Sequence, residues 1–180
     1  MTKRHALIKI IVLSLSLVFA IGFQCRAQPT EYQIKAAFIY NFARFTDWPS
    51  TAFSASDSPM IIGVLGKNVF GDDLANTVNG KTINGHPLKF KHFDSVTDAA
   101  HCQVLFISAP GKGDLPKILQ QLQGTNILTI SETDGFIEAG GMINLEIVDQ
   151  KVRFEINNET AKKAGLNISS KLLSLAINSP

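Results

Sequence analysis

From residue 34 the chain sets apolar side chains at Ile34, Phe38, Ile39, Phe42 and Phe45, the recurrence of one helix face. Ala36, Ala37 and Ala43 between them permit close packing. Thr30 followed three residues later by Gln33 is a capping-box pattern, and Pro29 fixes the approach of the chain. The spacing predicts a helix from the Thr30 cap to about Phe45. Trp48-Pro49 closes it, because a residue before proline disfavours helical backbone. Ser50 to Ser58 reads as a polar loop.

The pattern then shortens. Met60–Leu65, Gln103–Ser108 and Asn126–Ile130 are brief apolar runs, predicted as buried strands. Between them, Val69–Val78 and Leu115–Leu122 read as helices, the second tolerating Pro116 in its first turn. Val96–Ala100 reads as a short helical turn. Lys81-Thr82-Ile83 and Leu88–Phe93 flank Asn84-Gly85, a strong hairpin signal. After Gly140-Gly141 the texture changes to alternation: Met142–Val148 and Val152–Ile156 flank Asp149-Gln150, a two-residue hairpin connection. Asn157 or Asn158 caps a helix through Ala164, with Gly165 as its left-handed stop, and a last helix spans Ser170–Ala176. Buried strands alternating with helices predict a single α/β domain. Its sheet is mixed and partly parallel, with flanking helices and a C-terminal hairpin followed by helices.

The first 27 residues have another character. Lys3, Arg4 and Lys9 precede an apolar run from Ile10 to Phe23, and Cys25 and Ala27 are small residues at the −3 and −1 positions of a cleavage site. This order is that of a secretory signal peptide cleaved after Ala27, with residues 28–180 as the exported domain. The apolar stretch is short of the roughly 20 residues of a spanning helix. Cleavage alters the charge: of 17 basic residues Lys3, Arg4, Lys9 and Arg26 leave, so 13 remain against 15 acidic ones, a net −2. The basicity of the whole chain therefore belongs to the leader, and nucleic acid is not an expected partner. Cys25 leaves too, so Cys102 stands alone and no internal disulfide forms.

Catalytic chemistry is not legible. Gly63, Gly66 and Gly71 lack the spacing of a dinucleotide fingerprint or a P-loop. His92, His101 and Cys102 match no metal-ligand pattern, and Cys102 at a strand edge reads as a packed thiol. Ser108, Ser131, Ser169 and Ser170 have no nucleophile-elbow glycines around them. Asp72-Asp73 reads as a solvated first-turn pair. The expectation is a binder rather than an enzyme, with no cofactor and no metal.

Three stretches carry a resemblance. They are Lys35-Ala36-Ala37-Phe38-Ile39-Tyr40-Asn41-Phe42 with Phe45-Thr46-Asp47-Trp48-Pro49; Gly140-Gly141-Met142-Ile143-Asn144-Leu145; and Lys151-Val152-Arg153-Phe154-Glu155-Ile156-Asn157, continued by Ala164-Gly165-Leu166-Asn167-Ile168-Ser169-Ser170-Lys171-Leu172-Leu173. Together they resemble the YfiR family of periplasmic proteins, over essentially the whole exported domain. The resemblance implies a compact α/β fold and a non-enzymatic, periplasmic role. The family's namesake represses a membrane-anchored diguanylate cyclase by binding its periplasmic sensor region, which holds cyclic-di-GMP and biofilm formation low. Other members resemble modules working beside histidine kinases. A small-molecule-binding or accessory module of such a kinase or of a transporter is thus the second reading, and a homodimer is compatible with either. The cysteine-based stabilisation associated with the namesake does not carry over to a domain with Cys102 alone.

Phe38, Phe42, Phe45 and Trp48 read first as core. Tyr40, Asn41, Pro49, Gly140, Gly141 and Asn144 are likewise expected to be structural. Ser169-Ser170-Lys171 caps the last helix, where a lysine in the first turn opposes the dipole and calls for a nearby carboxylate. On the hairpin, Arg153, Glu155 and Asn157 share one face, while Val152, Phe154 and Ile156 share the other. That polar row either holds an internal network or meets a partner. It is the candidate contact surface.

Overall fold

The computed structural model describes residues 28–109 and 113–177, so the expected leader lies outside the described residues. Helix α1 (Glu31–Arg44) opens on the capping box: the Thr30 hydroxyl accepts from the Gln33 backbone N–H, and the Gln33 side chain accepts from that of Thr30. Ala36, Ile39, Phe42 and Ala43 form its buried stripe.

Strands β1 (Thr46–Asp47), β2 (Met60–Leu65), β3 (Thr82–Ile83), β4 (His86–Phe93), β5 (Val104–Ile107), β6 (Leu128–Ser131), β7 (Ile143–Val148), β8 (Lys151–Ile156) and β9 (Asn167–Ile168) form two sheets. The larger has seven strands in the order β3-β4-β2-β5-β6-β7-β8. Strands β4, β2, β5, β6 and β7 run parallel, and β3 and β8 are antiparallel edges. The central parallel strands β2 and β5 are apolar on both sides because helices cover both faces there. One face carries α1, α2 (Asp73–Val78), α4 (Asn158–Lys163) and α5 (Ser170–Leu173) over Ile62, Val64, Val104, Phe106, Leu128 and Ile130. The opposite face packs α3 (Asp114–Gln121) over Leu65, Leu105 and Ile107. The expected mixed, partly parallel α/β domain is borne out.

Both hairpins turn as the sequence predicts. Asn84 and Gly85 have φ of 50° and 89°, and Asp149 and Gln150 have φ of 49° and 61°. Positive φ at both central residues is the type I′ turn that matches strand twist.

Helix α1 ends at Arg44 with Phe45 as its cap, as expected, and Thr46 and Asp47 then pair with Ile168 and Asn167 in the two-stranded sheet. Three local expectations are corrected. Helix α2 starts at Asp73 rather than Val69. Asn68 accepts from the Phe70 N–H and donates to the Gly71 carbonyl, so a side-chain turn occupies the stretch that would have been the first helical turn. The last helix ends at Leu173 rather than Ala176, since Leu175 and Ala176 donate to Leu172 and Leu173 in tighter three-residue turns. Residues 50–52 form a 3-10 turn inside the expected loop.

Candidate functional site

Helical cover thins out across the second face of the sheet. On β5 that face presents Leu105 and Ile107, both buried under α3. One strand along, it presents Thr129 and Ser131, whose hydroxyls take up the Met142 N–H and the Ile107 carbonyl. On β7 it presents Asn144 and Glu146, which oppose Glu155 and Arg153 on β8. The apolar residues of the same hairpin, Leu145, Phe154 and Ile156, point the other way, and the Phe154 ring meets Phe42 and Phe38 of α1 at 5.0 and 5.6 Å between centroids. The hairpin therefore joins the core by one side and leaves a polar side open.

The polar row divides by position. Arg153 is exposed and Glu155 half-buried. Asn157, at the strand end, caps α4 by accepting from the Thr160 N–H at 3.0 Å. Beyond the row, the hairpin tip exposes Ile147 at 50% and Val148 at 38%. Leu175 and Ile177 are exposed near the outer edge of β8, where the Ile177 N–H donates to the Phe154 carbonyl. Charged residues thus lie beside exposed apolar ones on this edge strand, whose outer edge is met at Phe154 by the segment that ends at Ile177.

Glu146 completes this surface, and the sequence reading did not select it. Burial pushes its carboxyl above the usual range, reinforced by the hydrogen-bonded Glu155 carboxylate and by Asp134. The signal was the two-residue step that puts Glu146 on the same side of the strand as Asn144.

The motif residues at the two ends of the chain come together. The Trp48 indole N–H donates to the Asn126 carbonyl at 2.9 Å, and the Asn126 side-chain amide donates to the Ala164 carbonyl at 2.7 Å. A Cβ placed on Gly165 would lie 3.6 Å from Pro49. The Ser169 N–H donates to the Phe45 carbonyl, and its hydroxyl caps α5 through Leu172. Ser170 is exposed at the helix start. The carboxylate expected for Lys171 is replaced by the Phe45 ring, 5.4 Å from its ammonium. Tyr40 is half-buried with the Lys81 ammonium over its ring at 4.3 Å, Asn41 supplies the carbonyl that ends α1, and Phe38 and Phe45 pack against the core. Gly140 has a left-handed φ of 97°. A Cβ on Gly141 would collide with the Phe136 ring at 2.2 Å.

At the carboxyl ends of the parallel strands lies a second feature. The chain leaves β2 towards β4 on one side, while β5 leads to β6 on the other, so the crossover direction reverses between β2 and β5. A crevice of about 620 Å³ opens there, with Leu65, Ile107 and Ile118 for walls and Lys67, Asp94 and Asp114 at its rim. Open α/β sheets bind ligands at such reversals. Glu132 borders the crevice, and it anchors α1. Lys35, only 3% exposed, makes ion pairs with both Glu31 and Glu132, and the Tyr32 hydroxyl donates to Glu132. Burial pulls the Lys35 ammonium down, but the bonds to Glu132 and Glu31 outweigh it and leave it raised. The sequence carried this signal: Lys35 falls on the stripe that Ile39 and Phe42 continue.

Cys102 is buried, and burial pushes its thiol up to about 12. Among the described residues, no group of three or more His, Cys, Asp or Glu is placed to hold a metal ion. No described helix is long and apolar enough to cross a membrane.

A search of the curated proteins gave no match. The YfiR/HmsC-like family model matches residues 32–177, from the first turn of α1 to the last described residue. That span holds all three stretches whose resemblance the sequence raised, and the family is one of periplasmic regulators rather than catalysts. The chain belongs to the YfiR/HmsC-like family.

Proposed function

We propose that this protein is a periplasmic regulator that represses a membrane-anchored diguanylate cyclase by direct contact with its periplasmic sensor region. Family membership over residues 32–177 carries the reading. In this proposal residues 1–27 direct export and are removed after Ala27. The open side of the β7–β8 hairpin, with Arg153 and Glu155, is the contact surface, and Asn157 holds its base. Repression requires that the domain bind the inactive sensor conformation better than the active one, since equal affinity shifts nothing.

Arg153→Ala tests the surface. Because Arg153 is exposed, the melting temperature is expected to stay within the usual range of surface changes, about 0.5 kcal/mol. Affinity for the sensor region falls, and cyclic-di-GMP in cells rises. Unchanged affinity and unchanged cyclic-di-GMP remove the hairpin from the contact. If the exported chain captures no signalling protein from solubilised membranes, and its deletion leaves cyclic-di-GMP as it was, the repressor reading is wrong.

The crevice at the β2–β5 reversal favours a second reading, a small-molecule-binding module that informs a sensor kinase or transporter. Crowding the crevice with Ser108→Phe separates the two: it abolishes a ligand response while leaving a purely protein-based contact in place.

A further inference from the structure

Building on the small-molecule reading of the crevice at the β2–β5 reversal, on which this step rests, we propose that its ligand is a small organic cation, a primary ammonium on an apolar body. The strand ends that form the floor of the crevice are level with one another. Leu65 lies beside Phe93 in one ladder and beside Ile107 in the other. One residue on, the Gly66 N–H donates to the Phe93 carbonyl and the Ser108 N–H to the Leu65 carbonyl, both at 3.0 Å. Asp94, Gly66 and Ser108 therefore stand in a row across β4, β2 and β5. With neighbouring strands about 4.8 Å apart, the backbones of Asp94 and Ser108 are separated by roughly 10 Å. The residue between them has no side chain. Gly66 has a left-handed φ of 85°, and a Cβ placed there would lie 3.4 Å from the Ser108 carbonyl oxygen and 3.9 Å from the Ser108 Cβ. The glycine leaves a notch between the two polar side chains.

Ser108 is 7% exposed and lines the crevice, and its hydroxyl has no hydrogen-bond partner among the described residues. Thr129 and Ser131, the other buried hydroxyls of this part of the sheet, both bond to backbone groups. Buried polar groups are normally bonded, and one left free on a cavity wall is available to a ligand atom. The charge of the crevice then selects the ligand's sign. Asp94 and Asp114 stand at the rim, and neither has an ion-pair or hydrogen-bond partner among the described residues. Against these two carboxylates stands the Lys67 ammonium alone. Glu132 on the remaining wall shares Lys35 with Glu31, so that group is also negative in sum.

Asp114 occupies the first turn of α3 and answers the positive end of that helix, which leaves Asp94 as the carboxylate for a ligand. An ammonium over Gly66 can donate to the Asp94 carboxylate on one side and to the Ser108 hydroxyl oxygen on the other. Leu65, Val69, Val96, Ile107 and Ile118 supply the walls for its apolar body. The volume of about 620 Å³ lies in the range of pockets that hold small organic ligands, roughly 300–1,000 Å³.

Calorimetric titration of the purified exported chain with 2-phenylethylamine tests this, beside 3-phenylpropionate, which carries the same body on the opposite charge, and phenylalanine, which carries both charges. The expected result is one saturable amine per chain, with the propionate weaker by at least about tenfold. Asp94→Asn weakens the amine by about tenfold, the loss of one charge-assisted hydrogen bond. The melting temperature of the unliganded variant stays that of the parent, because Asp94 is exposed. Ser108→Ala weakens the amine as well, and Lys67→Ala tightens it by removing the opposing charge. An amine that binds Asp94→Asn as it binds the parent lies elsewhere and overturns the site. Absence of saturable heat with the amine at about 10 mM, ten times a weak Kd of about 1 mM, overturns it too. Propionate or phenylalanine binding as tightly as the amine overturns the choice of a cation and leaves the small-molecule reading standing. That reading is tested separately, by whether Ser108→Phe abolishes the ligand response.

Discussion

Single positions in this chain are constrained by what a missing or added atom would meet. Gly141 lies under Phe136, whose ring is fully buried and has nowhere to move. Gly141→Ala is expected to destabilise the domain by about 1–3 kcal/mol, the cost of overpacking a filled core, read as a lowered urea midpoint with an unchanged slope. Gly140 is needed for a different reason, its left-handed backbone. The adjacent glycines of the family motif thus serve two separate physical ends, which their sequence alone does not distinguish. Glu146 supplies a pH signature. Its folded carboxyl is raised by burial and by Glu155, so between the ordinary glutamate value of about 4.3 and its folded value the native state binds more protons than the unfolded one. Its contribution to stability therefore falls as pH rises through that window. Glu146→Gln should be more stable than the parent at neutral pH, with the advantage vanishing below about pH 4.3, in paired melts across pH.

Among the elements, those with strong periodicity and explicit caps were legible beforehand. The capping box at Thr30, the Asn84-Gly85 and Asp149-Gln150 turns, the Asn157 cap and the Gly165 stop all occur as the residues dictate. Legibility ended where a distant strand or a local side-chain bond decided the outcome. Nothing near Thr46 announces Ile168 as its partner, and Asn68 uses its amide to form a turn where apolar spacing alone suggests helix. At the candidate surface, alternation separated Arg153 and Glu155 from Phe154 and Ile156, but only the end of the α3 cover shows that the polar side is open. The position of Glu146 opposite Arg153 needed the cross-strand register to emerge. The hairpin also carries an avoidable cost. Gln150 has a φ of 61°, where a side chain is disfavoured by about 1–2 kcal/mol and glycine is not. Replacing Asp149-Gln150 by Asn-Gly should stabilise the domain by about 0.5–1 kcal/mol after the unfolded-state entropy of glycine is counted, measured by chemical denaturation.

On the scale of the whole molecule, the two end motifs form a single structural unit. β1 follows directly on α1, β9 directly precedes α5, and the Trp48–Asn126–Ala164 bonds tie both to the start of β6. Removal of residues 166–180 should therefore disorganise the N-terminal helix as well, seen as loss of a cooperative melt rather than a modest shift. Lys35, held between Glu31 and Glu132, fastens the other end of the same helix to the end of β6. The β1–β9 clasp has a consequence in time. A chain that emerges N-terminus first presents Thr46 and Phe45 more than a hundred residues before Ile168 and Ser169 arrive to meet them. Contacts of such separation form late and slowly, because a long loop must close before any of them stabilises the chain. Folding is thus unable to finish until the segment that carries Ile168 and Ser169 is free to pair.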